Sequence, residues 1–215
     1  MPRAKTRAYQ SPVRQRQAED TRRRIADAAR RLLRSKGYSA MTVDAIAAEA
    51  GVAAPTVYAI FGSKTGILTE LLDQSTFGPE YENLVEQARG TPEPEMRLRI
   101  AAKIARQVHD AAGSALDLLK GAGVVAPQLA RLLKDREGRR YAAQEHLIGY
   151  LEEHGKLRPG LNRTAAWDVL WSFTSRELYR LLVIERGWTS QAYEDWLADT
   201  LAVTLTSEGR SSIPR

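Results

Sequence analysis

The residues with the most specific chemistry lie between positions 42 and 64: Thr42, Ala53, Ala54, Pro55, Thr56, Tyr58 and Lys64. They combine small apolar groups, hydroxyls, a phenol and a cation, a set suited to touching duplex DNA rather than to breaking bonds. A helix that enters a major groove of about 12 Å must be slim, and Ala53, Ala54, Pro55, Thr56 and Ala59 offer such a face. The Thr56 hydroxyl can meet a base edge or a phosphate, and Ala54, Pro55 and the Thr56 methyl can pack on thymine methyls. Lys64 and Thr42 each fall at a helix start, where free amides help to hold a phosphate. A plainer reading stays open for each: Tyr58 as a half-buried core aromatic, Thr56 as a local helix-start residue, Lys64 as solvated charge.

The elements that would position these residues follow from local signals. Ile25, Ala28, Ala29, Leu32 and Leu33 repeat at helical spacing and predict a helix closed by Lys36 and Gly37. Thr42 is a good N-cap for a short second helix with Asp44 in its first turn. Gly51 supplies the positive φ of a tight turn. Pro55 suits the first turn of a third helix over about 54–60, and Ser63 caps a fourth. Val43, Ile46, Val52, Val57 and Phe61 are expected to share a small core. Short helices joined by a glycine-bearing turn form a helix-turn-helix arrangement.

The stretch TVDAIAAEAGVAAPTVYAIFGSK (42–64) resembles the helix-turn-helix signature of the TetR family of transcriptional regulators, and IADAARRLL with Gly37-Tyr38 before it fits the same pattern. The resemblance is dense over about 21–72 and looser over 163–206. It implies an all-α chain: an N-terminal three-helix DNA-binding domain and a C-terminal helical bundle that binds a ligand and dimerises. It also implies that the Tyr58 phenol reaches a backbone phosphate. Ala53 stands where the family often has serine or threonine, and Ile60 and Gly66 also depart from its pattern. Few polar groups remain on the third helix, so apolar contacts and DNA shape are expected to supply much of the specificity.

Charge supports this division. Residues 1–66 hold 13 lysines and arginines against 5 acids, while residues 67–215 hold 19 against 21. The positive excess sits on the first third and points to a polyanion, with nucleic acid or an anionic membrane as candidates. Cysteine is absent, which excludes disulfides and thiolate zinc sites. With no signal peptide and no run of about 20 apolar residues, the expected location is the bacterial cytoplasm at the nucleoid, with no membrane partner. The expected division is a basic flexible arm over 1–18, the DNA-binding domain over 19–78 with its motif near 42–61, the helical domain over 79–207, and a disordered tail over 208–215.

Beyond position 79 the pattern is helical throughout. One helix is expected to start at TPEPE (91–95), a short one over 114–120, another from Pro127 to near His154, one of about 23 residues from Arg163 to Arg186, and a last one after Thr189-Ser190. The stretch 165–184 is apolar nearly all round, and a helix buried on two sides needs a partner on one of them. With the last helix it could build half of an intersubunit four-helix bundle, so Val169, Leu178, Leu182, Tyr193, Leu197 and Leu201 are expected at a homodimer seam. A two-fold dimer reads a palindromic operator. The resemblance further implies a cavity for a small-molecule effector, which Ile104, Val108, His109, Trp171, Phe173, Arg176 and Tyr179 could line. No cofactor, metal or catalytic residue is expected: there is no nucleophile elbow, P-loop, dinucleotide fingerprint or H-E-x-x-H. The expected function is a sequence-specific regulator, a repressor released from its operator by a ligand. The alternative is an architectural DNA-binding protein that regulates no nearby promoter.

Overall fold

The computed structural model describes residues 12–123 and 126–207; most of the expected arm (1–11) and the expected tail (208–215) lie outside them. The described residues form helices α1 (Pro12–Ala40), α2 (Val43–Ala50), α3 (Ala54–Phe61), α4 (Lys64–Thr76), α5 (Pro79–Gly90), α6 (Pro94–Gly123), α7 (Pro127–Glu153), α8 (Arg163–Phe173), α9 (Arg176–Tyr179) and α10 (Ser190–Leu205). A π-helical segment, Arg180–Glu185, continues α9. The only strand-like pairing among them is an isolated bridge between Leu157 and Thr206. No single helix is long and apolar enough to cross a membrane. The chain divides into two compact units, with the boundary inside α4 between Leu71 and Leu72.

Unit 1 is organised by the caps visible in its sequence. Gly37 takes φ 75° and breaks the first helix. The Thr42 hydroxyl accepts from the Ala45 amide at 3.1 Å, and the Ser63 hydroxyl accepts from the Gly66 amide at 3.1 Å. Ile25, Ala28 and Ala29 of α1, Ile46 of α2, Val57 of α3 and Ile67 and Leu68 of α4 are buried together with Met41. Val43, Val52 and Phe61, expected in this core, are half-buried at its margin. Residues 12–18, expected as part of a flexible arm, are instead the first turns of α1, exposed from Arg14 onward.

Unit 2 packs α6, α7, α8 and α10 around Leu98, Ala102, Ile148, Leu151, Leu170, Tyr193, Leu197 and Leu201. Two expectations change here. The short helix over 114–120 is the end of the continuous α6. Gly113 does not break it. A Cβ there would lie 2.5 Å from the Arg176 guanidinium, so the missing side chain is a notch that Arg176 occupies. The single helix over 163–186 is broken at Thr174 and Ser175, where the Ser175 hydroxyl accepts from the Leu178 amide at 3.4 Å and starts α9. The break is held by side chains from elsewhere. Arg140 and Gln144 donate to the Thr174 hydroxyl at 2.9 and 2.7 Å, and His109 Nε2 donates to the Thr174 carbonyl at 3.1 Å.

Candidate nucleic-acid interface

Helices α2 and α3 are bent by 107° about a turn of Gly51, Val52 and Ala53. That angle and turn length are those of a helix-turn-helix. Gly51 takes φ 63° and ψ 43°, and its amide and that of Val52 close on the carbonyls of Ala48 and Ala47. Arg24 reaches from α1 to the carbonyls of Ala50 and Gly51 at 2.5 and 3.2 Å, placing a cation at the negative end of α2. Val57 is the buried anchor of α3.

The opposite side of α3 is open. Ala53 and Pro55 are exposed, Ala54 and Thr56 are half-exposed, and Tyr58 is 54% exposed. Neither the Tyr58 phenol nor the Thr56 hydroxyl has a partner within the described residues. Leaving an aromatic of this size in water loses apolar burial, which argues against a core role for Tyr58. Ala53 is the N-cap of α3 and contributes no side-chain cap; Pro55 has no amide hydrogen, and the Thr56 amide donates to the Ala53 carbonyl at 2.9 Å. Thr42 stands exposed, with its hydroxyl already engaged as a cap.

The cations of unit 1 divide into two groups. Arg22 forms a fork with Glu70 at 3.1 and 2.5 Å, Arg23 pairs with Asp20, and Arg31 pairs with Glu49. Lys64 departs most from expectation. Its ammonium donates to the Tyr38 carbonyl at 2.6 Å and sits 3.6 Å from the centre of the Tyr38 ring. Partial burial there lowers its pKa. Lys64 therefore ties α4 to the end of α1 beyond the Gly37 kink rather than pointing a free charge outward. Arg14, Arg16, Arg34 and Lys36 remain exposed on α1 with no partner among the described residues. Sequence reading passed over Arg34 and Lys36 as phosphate contacts, although neither has an acid three or four residues away.

Residues 25–71 match the family model described as bacterial regulatory proteins of the tetR family. Over this segment the chain is similar to the TetR family. The matched residues run from the first buried side chain of α1 to the end of unit 1 and include the exposed α3 face. No curated protein matches the chain by sequence. Among solved structures, a choline complex of a protein from Saccharomonospora viridis superposes with a TM-score of 0.66 at 20% identity, covering 88% of this chain and 100% of that one. NalD, the secondary repressor of the MexAB-OprM multidrug efflux pump in Pseudomonas aeruginosa, gives 0.65 at 19%, covering 89% and 98%. A regulator of the TetR/AcrR family from Thermobifida fusca gives 0.61 at 22%, covering 91% and 100%. At these identities the likeness is one of fold.

The polar residues expected to sense a ligand are engaged with partners inside unit 2. His109 is buried and neutral, its pKa lowered to about 4 chiefly by desolvation. Arg176 is buried, forks onto Asp117 at 3.2 and 2.6 Å, and lies over the Tyr179 ring. The Tyr179 phenol donates to Asp110. Ile104, Val108, Trp171 and Phe173 are half-buried. His109 Nδ1, Gln144 Oε1 and Trp171 Nε1 are buried without partners around the Thr174 break. The expected seam also changes. Tyr193, Leu197 and Leu201 are fully buried in unit 2 itself, so they are core residues and cannot meet another subunit. Val169, Leu178 and Leu182 are half-buried, and the large apolar groups of unit 2 that are exposed are Phe77, Met96, Leu181, Ile184 and Trp188.

Proposed function

We propose that this chain is a ligand-responsive repressor, a two-fold dimer that holds a palindromic operator through α3 and leaves it when a small molecule binds unit 2. The observation that carries the reading is the open face of α3, with Pro55 and Tyr58 in solvent and the Tyr58 and Thr56 hydroxyls unpartnered. Exposed Arg14, Arg16, Arg34 and Lys36 add phosphate-seeking charge on the same unit. Tyr58 and these cations position the protein on any duplex, whereas Ala54, Pro55 and Thr56 read base edges and thymine methyls.

The dimer is supported by the exposed apolar groups Leu181, Ile184 and Trp188, close together in sequence, with Leu178 and Leu182 half-buried beside them in the chain. A two-fold pair would set its recognition helices ~34–36 Å apart or a multiple of it, matching a palindrome. The effector is supported by the polar atoms left unpartnered around Thr174. A ligand that favours one spacing of the two heads shifts the population and changes DNA affinity by its differential binding alone. NalD is named a repressor and the Saccharomonospora viridis protein was solved with choline; the reading extends a repressor's output and a small-molecule input to this chain.

The test is footprinting and gel shift on the DNA flanking the gene. The expected result is a symmetric footprint whose affinity falls steeply with salt as phosphate contacts release counterions. Diffuse protection without a symmetric site would replace this reading with an architectural role, and no protection would end both.

A further inference from the structure

From Ala50 to Ser63 the chain carries no lysine, arginine, histidine, aspartate, glutamate, asparagine or glutamine. That stretch holds the turn before α3 and the whole of α3. The first charged residue on either side is already engaged: Glu49 pairs with Arg31 at 2.9 Å, and Lys64 donates to the Tyr38 carbonyl at 2.6 Å. Pro55, Tyr58 and Ala59 fall at helical spacing on one side of α3 and are exposed, turned away from the buried Val57.

The edges of the base pairs decide what such a face can tell apart. In the major groove guanine is read by arginine or lysine, adenine by asparagine or glutamine, and cytosine by an acid. Helix α3 presents none of these groups. Its hydroxyls, on Thr56 and Tyr58, both donate and accept, so they meet any base edge or a phosphate without choosing among them. One base-edge group remains that an apolar face distinguishes: the thymine 5-methyl, which leaves water when Pro55 or a neighbouring alanine covers it. Sequence-dependent DNA shape also selects, but at positions that need no contact and without reliance on a single methyl.

We infer that the operator is chosen at the α3 contact through thymine 5-methyl groups: each half-site sets a thymine against Pro55 in the major groove, and no guanine is read there by hydrogen bonding. The inference rests on α3 being the DNA-reading helix and adds the class of base that it selects. Guanine and cytosine at the other contacted steps are tolerated rather than recognised.

Selection from random-sequence duplexes with the full chain supplies the operator, and replacing its thymines by uracil tests the inference. Uracil keeps every hydrogen-bonding atom of thymine and lacks only the 5-methyl. Uracil at the contacted step of one half-site should weaken binding about fourfold, and in both half-sites roughly 15-fold, the effect of uncovering one and two buried methyl groups. Cytosine at that step should bind no better than uracil, and 5-methylcytosine should recover about fourfold over cytosine. In Pro55→Ala the thymine-to-uracil ratio should narrow to about twofold, since alanine covers less of the methyl. Alanine is well suited to a helix, and thermal unfolding confirms that this variant is folded. Unchanged affinity with uracil at every thymine, or selected half-sites whose protected major-groove steps hold no thymine, would overturn the inference and leave DNA binding by α3 standing. A ratio as large in Pro55→Ala as in the wild type would place the methyl contact off Pro55 and overturn it too. Failure to select any sequence would end both readings.

Discussion

The guanidinium of Arg176 occupies the space that a side chain at Gly113 would fill: a Cβ built there meets its carbon and both terminal nitrogens at 2.5 Å. Asp117, one turn further along α6, holds the same guanidinium by a fork. The pair joins α9 to α6 just beyond the Thr174 break, and glycine inside a long helix is tolerated there for the room it leaves.

Gly113→Ala should therefore destabilise the chain by about 1–3 kcal/mol, the usual range for overpacking, because Arg176 is anchored and cannot swing aside freely. In an Arg176→Ala background the same change should instead add up to about 1 kcal/mol, the ordinary gain of alanine over glycine in a helix. A double-mutant cycle by urea unfolding reads the reversal of sign. Additive effects would mean that the guanidinium does not fill the notch.

His109 makes stability depend on pH. It is buried against the Thr174 carbonyl, with Arg176 and Arg140 opposing its charge and Asp110 favouring it, and its pKa is lowered to about 4 from 6.5. Between these values the unfolded chain binds the proton and the folded chain does not, so stability is full above about pH 6.5 and declines as the pH falls toward 4. The loss at the lower end should be about 3 kcal/mol, since each tenfold difference in proton affinity between the folded and unfolded chain is worth about 1.4 kcal/mol. Urea unfolding across this window should show the slope in the wild type and a flatter one in His109→Gln. Parallel slopes would assign the effect to other groups.

Tyr58 and Lys64 should separate in their effects. Tyr58→Phe removes an exposed, unpartnered phenol and should leave thermal unfolding unchanged while weakening binding to every duplex by about 1.5 kcal/mol, the value of one hydrogen bond to a charged group. Lys64→Met removes the ammonium from the Tyr38 carbonyl and ring, and should cost unit 1 about 1 kcal/mol of stability. Thermal unfolding beside gel shift distinguishes the two. A Lys64→Met variant as stable as wild type but poor in DNA binding would restore Lys64 as a phosphate contact.

These contrasts show what the sequence made legible. Thr42, Gly51, Pro55 and Ser63 act on residues within a turn of themselves, so the helix-turn-helix could be read from their order. The engagement of Lys64 by Tyr38, the notch at Gly113 and the break at Thr174 depend on partners far along the chain, and no local pattern announces them. The apolar stretch over 165–184 was read as one helix buried on two sides; it breaks at Thr174, and of its apolar residues only Ala166, Leu170 and Tyr179 are buried. The break and the π-helical turn after it rotate Leu181 and Ile184 outward, and the adjoining α10 takes its apolar face into its own unit.

The proposed seam rests on these exposed groups. Ile184 is 61% exposed and lies near Leu181 and Trp188, whereas Leu201 is fully buried against α6 and α8. Ile184→Glu places a charge on the exposed strip without touching the core, so the monomer should keep its unfolding temperature at low concentration. A dimer that uses the strip must desolvate that carboxylate on both subunits, and its dissociation constant should rise by at least about tenfold. Leu201→Ala should do the reverse: it opens a cavity and costs about 2–5 kcal/mol of folding stability, with no selective effect on association in the fraction that remains folded. Analytical ultracentrifugation across a dilution series, paired with thermal unfolding, reads both. A dimer that survives Ile184→Glu at the wild-type constant would place the subunit contact on another face and would also remove the basis for a fixed spacing between recognition helices.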